Sequence, residues 1–95
     1  MTDPDETRDT RVKRLRIRAW RRGIKEMDLI LGGYADDRLA TLDDEGLALF
    51  EAVMGENDHD LFAWVTGTAA PPRRYAPLIA ELSDRAAGAA KGGAV

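Results

Sequence analysis

Apolar residues recur along this chain at helical rather than strand spacing. Val12, Leu15 and Ala19 follow i, i+3, i+7, with Ile17 and Trp20 alongside, and predict a first helix over about Thr10–Arg22. Asp9 or Thr10 is the expected cap, and the Lys and Arg residues of the later turns suit the negative end of the helix dipole. Gly23 then interrupts. Ile24, Met27, Leu31 and Tyr34 mark a second helix, with helical structure resuming as far as Leu39. Gly32-Gly33 lies inside it, where each Gly costs about 1 kcal/mol relative to Ala, so a bend or short break is expected there. Thr41-Leu42-Asp43-Asp44 reads as an approximate capping box with Thr41 as the cap. It opens a third helix that carries Leu47, Phe50, Val53 and Met54 and stops at Gly55. A fourth, short helix begins near Asp58, carries Leu61, Phe62, Trp64 and Val65, and stops at Gly67. Pro71-Pro72 forces an extended connector. Tyr75, Leu78, Ile79, Leu82 and Ala86 have the clearest amphipathic spacing in the chain and predict a fifth helix.

Together these predict an all-α protein, a small five-helix bundle in a single domain spanning 10–87. An acidic N-terminus (1–9) and a Gly/Ala-rich tail (88–95) are expected to be flexible on either side. The expected core is Leu15, Ala19, Ile24, Met27, Leu31, Leu42, Leu47, Phe50, Val53, Met54, Leu61, Phe62, Val65, Leu78, Ile79 and Leu82. Composition agrees with helices: Ala and Leu supply 25 residues, Val and Ile only eight.

At 95 residues the core is modest, and a deep substrate cavity would be hard to house. With no Cys, disulfides, thiolate metal sites and Cys nucleophiles are excluded, and one His excludes a multi-histidine metal site. No apolar run approaches the ~18 residues of a membrane span, and Met1–Asp9 is too acidic for a signal or transit peptide. The expectation is a cytoplasmic chain with no membrane association, and a monomer, because no heptad pattern persists.

The net charge of −3 conceals segregation: residues 1–26 carry +4, 27–70 carry −9 and 71–95 carry +2. Opposite charges on facing helices would stabilise the bundle internally; alternatively, one pole docks onto a charged partner.

Candidate chemistry is sparse. Asp58-His59-Asp60 cannot easily point three consecutive side chains at one ion, and it reads as a solvated cap of the fourth helix. No phosphate-cradling Gly-rich motif occurs, and Ser83 has no histidine near it in sequence. A stand-alone enzyme is not expected. Arg11–Lys25 holds eight basic residues with Trp20 among them, the raw material of a basic-helix nucleic-acid adaptor. Yet they spread around the helix in a chain of pI near 5.1, and nucleic-acid binding is not the favoured reading.

The most informative stretch is Arg21-Arg22-Gly23-Ile24-Lys25-Glu26-Met27-Asp28. If the chain turns at Gly23, Arg22 closes one helix while Glu26 and Asp28 lie near the positive start of the next. A positive fork, a patch without Cβ and carboxylates then share one exposed corner, the form of a docking site. The rival is an ordinary helix–helix turn with surface charges.

Arg22-Gly23-x-x-Glu26 resembles the RGxxE signature of the SdhE family of flavoprotein assembly factors, at the family's place between the first two helices. Arg21 before it, Met27-Asp28 after it, Leu42-Asp43-Asp44-Glu45, Phe50-Glu51 and Asp58-His59-Asp60-Leu61-Phe62-Ala63-Trp64 resemble the rest of the family pattern, over roughly Arg11–Leu82. The resemblance implies a non-catalytic assembly factor. Its partner would be the flavoprotein subunit of succinate dehydrogenase or fumarate reductase, and it would promote covalent attachment of FAD to a histidine of that subunit. It implies a partner-binding corner at Arg21, Arg22, Gly23, Glu26 and Asp28, and no cofactor bound by this chain itself. A helical interaction module with an unrelated partner is the remaining alternative. Gly32-Gly33, the tail and the acidic N-terminal extension have no counterpart in the signature.

Overall fold

In the computed structural model, residues 7–93 are described, with side chains as far as Ala87. The elements are α1 (Arg8–Trp20), α2 (Lys25–Arg38), a 3-10 turn (Leu39–Thr41), α3 (Asp44–Met54), α4 (Asp58–Val65), a second 3-10 turn (Arg73–Tyr75) and α5 (Ala76–Gly93). The all-α, five-helix architecture is as expected, and the described residues contain no strand.

α2 is the hub. It packs against α1, α4 and α5, and it buries Met27, Leu31, Tyr34 and Ala35. α1 contributes Leu15 and Ala19; α3 contributes Leu47, Phe50, Val53 and Met54; α4 adds Leu61 and Val65; and α5 adds Leu78, Ile79 and Leu82. Each fully buried aliphatic side chain stabilises the fold by about 1.5–3 kcal/mol. Tyr34 stacks on Phe50 with ring centroids 5.6 Å apart, joining α2 to α3.

Several boundaries and core assignments differ from expectation. Thr7 caps α1, its side chain accepting from the Thr10 N–H at 3.2 Å, so Arg8 and Asp9 are helical rather than part of a flexible segment. Residues 1–6 and 94–95, which hold the rest of the expected flexible ends, lie outside the described residues. Asp43, not Thr41, caps α3, accepting from the Gly46 N–H at 2.8 Å; Thr41 instead donates to the Arg38 carbonyl at 2.7 Å within the 3-10 turn. α5 continues past Ala87 to Gly93, further than the expected boundary.

Phe62 is 42% exposed, on the face of α4 turned from the core, while Ile24 and Leu42 only flank the core. Tyr34, Ala35, Leu39 and Tyr75 are buried in addition. α2 runs unbroken through Gly32-Gly33. The flat ring of Trp20 lies against Gly32, where a Cβ would sit 2.8 Å from the ring's Cε3 and nearer still to its fused edge. Close helix packing therefore offsets the propensity cost of that glycine.

Segregated charge holds neighbouring helices together. Glu51 of α3 accepts from Arg11 and Arg14 of α1, each at 3.2 Å; Arg16 reaches Asp36 of α2 at 3.0 Å; and Arg85 of α5 reaches Asp37 at 2.8 Å. The Arg16–Asp36 and Arg85–Asp37 pairs are exposed and contribute about 0–1 kcal/mol each, whereas Glu51 and its two arginines are partly buried between α1 and α3.

Candidate functional site

The elbow between α1 and α2 is built by its backbone. Arg21 ends α1 and donates its N–H to the Arg18 carbonyl at 3.2 Å. Gly23 follows at φ +99°, a left-handed conformation that costs an L-residue about 1–2 kcal/mol. Ile24 is extended and offers no side-chain cap to α2. Asp28, in the first turn of α2, reaches back across the elbow instead: its Oδ1 accepts the Arg22 N–H at 2.8 Å. A carboxylate there also suits the positive end of the helix dipole.

Arg22 does not form the exposed positive fork that the sequence suggested. Its side chain is only 11% exposed, and the guanidinium is turned into the protein. It donates to the carbonyl of Glu56 at 2.7 Å, to the carbonyl of Met54 and to the Asp58 carboxylate. Met54 is the last residue of α3 and Asp58 the first of α4, so one guanidinium closes the C-terminus of one helix and pairs with the N-terminal carboxylate of the next. The α1–α2 elbow is thereby fastened to the α3–α4 turn. On its far side that turn is held by Tyr75, whose hydroxyl donates to Glu56 Oε2 at 2.8 Å and accepts from Arg74 at 3.0 Å. Burial and the hydrogen bond to Glu56 push the Tyr75 hydroxyl above the ordinary tyrosine pKa; burial, with the charge of Glu81, does the same for Tyr34.

The five site residues named from sequence therefore divide. All lie at one elbow, but Arg22 and Asp28 are spent within the fold, whereas Arg21, Gly23 and Glu26 face solvent. Arg21 and Glu26 make no ion pair among the described residues. His59 is exposed, its N–H bonded to the Asn57 side chain at 2.8 Å in the capping position of α4. Among the described residues no three of His, Cys, Asp and Glu come together as a metal site would need. No described helix is long and apolar enough to cross a membrane.

Sequence reasoning missed a neighbouring feature. Ile17 and Trp20 on α1 and Leu29 on α2 are 54%, 40% and 55% exposed. Ile17 and Trp20 line a groove of about 420 Å³ with Lys13, Arg16, Arg21 and Asp36. The available signal was Gly32-Gly33, two glycines inside an apolar helical pattern without a local reason.

A protein-family model described as a flavinator of succinate dehydrogenase matches residues 13–86. Among curated proteins, the chain is 35% identical over 81 residues to succinate dehydrogenase assembly factor 2-B, mitochondrial, of Drosophila mojavensis, covering 83% of this chain and 52% of that protein. It is 37% identical over 71 residues to the assembly factor 2 of Mycosarcoma maydis, covering 75% and 30% of the two chains. The corresponding protein of Candida glabrata is 33% identical over 85 residues, covering 84% and 56%. The chain thus spans from under a third to just over half of the length of these relatives.

Proposed function

Since the chain belongs to the flavinator family of succinate dehydrogenase, we propose that it binds the flavoprotein subunit of that enzyme, or of fumarate reductase, and promotes covalent attachment of FAD to a histidine of the subunit. The observation that carries this is the family match across 13–86, which takes in the whole elbow and everything that fastens it. Flavin and histidine both belong to the partner. This chain supplies a surface, not a reacting group.

The elbow's chemistry suits that role. Arg21 and Glu26 offer two opposite, exposed charges, with no ion pair among the described residues, on either side of a glycine that bears no side chain, so a partner backbone can approach closely between them. Arg22 and Asp28 act one layer below. By tying α1, α2, α3 and α4 together at one point they keep the contact surface rigid before the partner arrives. A rigid surface loses little conformational entropy on binding, leaving more of the contact energy to hold the partner in one arrangement. Holding a histidine and a flavin ring in reacting geometry can lower a barrier by several kcal/mol, about 7–11 at the upper end. The nucleic-acid adaptor is disfavoured because Arg11, Arg14, Arg16 and Arg22 are already engaged by acidic side chains of the same chain. Action in the cytoplasm as a monomer completes the proposal.

The test is reconstitution of flavinylation. The flavoprotein subunit is produced with and without this chain, and covalent flavin is read as fluorescence of the denatured band. Wild type restores the fluorescent band. Glu26→Ala, which removes an exposed carboxylate that makes no ion pair among the described residues, reduces it by about tenfold or more, as loss of a central charged contact does at other interfaces. An unchanged flavin yield without the chain would refute the function; full yield with Glu26→Ala would refute the elbow as the contact.

A further inference from the structure

Beside the elbow the protein displays an aromatic ring that its own packing does not require to be exposed. Trp20 is 40% exposed, yet it is firmly seated. One face of the indole lies on the α2 backbone at Gly32, and Nε1 donates to Asp36 Oδ1 at 3.3 Å. Arg16 donates to the same oxygen at 3.0 Å, fixing the carboxylate that fixes the ring. A larger residue at position 32 would lift the indole away, so the helix-weakening glycine is what lets the tryptophan lie flat on α2.

At 100° per residue, Lys13, Ile17, Trp20 and Arg21 fall on one face of α1. Ile17 is 54% exposed and extends the apolar floor of the groove. The charge on its rim is one-sided. Arg16 is neutralised by Asp36, whereas Lys13 and Arg21 make no ion pair among the described residues. The groove therefore has an apolar floor and two unsatisfied cations.

We propose that this groove is a second docking surface for the same partner, and that it receives a short flavoprotein segment carrying one large apolar side chain flanked by carboxylates. The apolar side chain lies on Trp20 and Ile17, and the carboxylates meet Lys13 and Arg21. The proposal rests on the function given above, since Arg21 belongs both to the groove and to the exposed elbow and makes the two surfaces continuous. A pre-seated tryptophan is the kind of side chain that dominates interface energies, because its area is buried at little entropic cost.

The experiment measures binding of the purified flavoprotein subunit by titration calorimetry at 50 and 300 mM salt, with Glu26→Ala in parallel. Ile17→Ser and Trp20→Ala each weaken binding about tenfold at both salt concentrations, as loss of an apolar anchor does. Lys13→Glu, a change at an exposed side chain that makes no ion pair among the described residues, weakens it by about tenfold at low salt and by much less at high salt, where rim charges are screened. Far-UV circular dichroism confirms that Trp20→Ala is folded; Ile17→Ser and Lys13→Glu keep the test independent of that variant. Affinity within twofold of wild type for both Ile17→Ser and Lys13→Glu, while Glu26→Ala weakens binding, would overturn the groove and leave the elbow standing. Failure of the wild-type chain to bind the flavoprotein would overturn both.

Discussion

Replacing Arg22 by Met keeps a long unbranched side chain in place and deletes the guanidinium. Three acceptors then lose their donor: the Met54 and Glu56 carbonyls and the Asp58 carboxylate. Removing one member of a buried ion pair costs about 3–5 kcal/mol. Asp58 is 20% exposed, so water reaches it in part, and the lower figure of about 3 kcal/mol applies. Small domains unfold with roughly 0.05–0.15 kcal/mol per residue, so this is a large fraction of the total. At 4–8 °C per kcal/mol for a domain of this size, the melting temperature falls by roughly 12–24 °C. With a urea m-value of about 2 kcal/mol per molar, the midpoint falls by about 1.5 M. Asp58→Asn keeps an acceptor and loses only the ionic part, so it costs about 1 kcal/mol. Arg22→Lys retains the charge without the fork and falls between the two. Urea unfolding followed by circular dichroism measures all three. If Arg22→Met unfolds within about 0.5 kcal/mol of wild type, within the ordinary range of surface changes, the guanidinium does not fasten the two turns.

Gly23→Ala meets no atom within 4 Å of the new Cβ but must hold φ +99°, so it destabilises by about 1–2 kcal/mol in the same unfolding assay while the helical content persists. Gly32→Ala improves helix propensity by about 1 kcal/mol yet drives a Cβ into the Trp20 ring, so the Trp20 indole N–H resonance moves and the helix shows no net gain in stability. An unmoved indole resonance would contradict the seating. Tyr34 and Tyr75 titrate above the ordinary tyrosine pKa of 10.0 when folded, so the unfolded chain releases these protons first. Their contribution is fully present below pH 10 and is lost as pH rises through the folded values. Thermal melts from pH 8 to 11 therefore show falling stability above about pH 10, with a shallower fall in Tyr75→Phe.

The helices were legible because each announces itself locally. Leu47, Phe50, Val53 and Met54 are spaced for one face, and Gly55 stops them, whatever the rest of the chain does. The elbow was legible for the same reason: a glycine between two helical patterns and a five-residue signature need no tertiary knowledge. Local spacing misplaced Phe62, which has the right hydrophobicity but falls on the outer face of α4. It likewise suggested a bend or short break at Gly32-Gly33, where the helix is unbroken, since propensity counts the cost of glycine and not what packs against it.

What the sequence by itself determined is the number of helices, where most of them stop, and which few residues form the turn between the first two helices. Only the tertiary structure decided which way those residues face. Arg22 lies 32 residues before Met54 and 36 before Asp58, and Trp20 lies 12 before Gly32. Contacts across such separations leave no periodic trace in the chain. Whether an arginine reaches outward to a partner or inward to two carbonyls and a carboxylate depends on where a second turn is placed, and that placement is settled only when the helices between them pack.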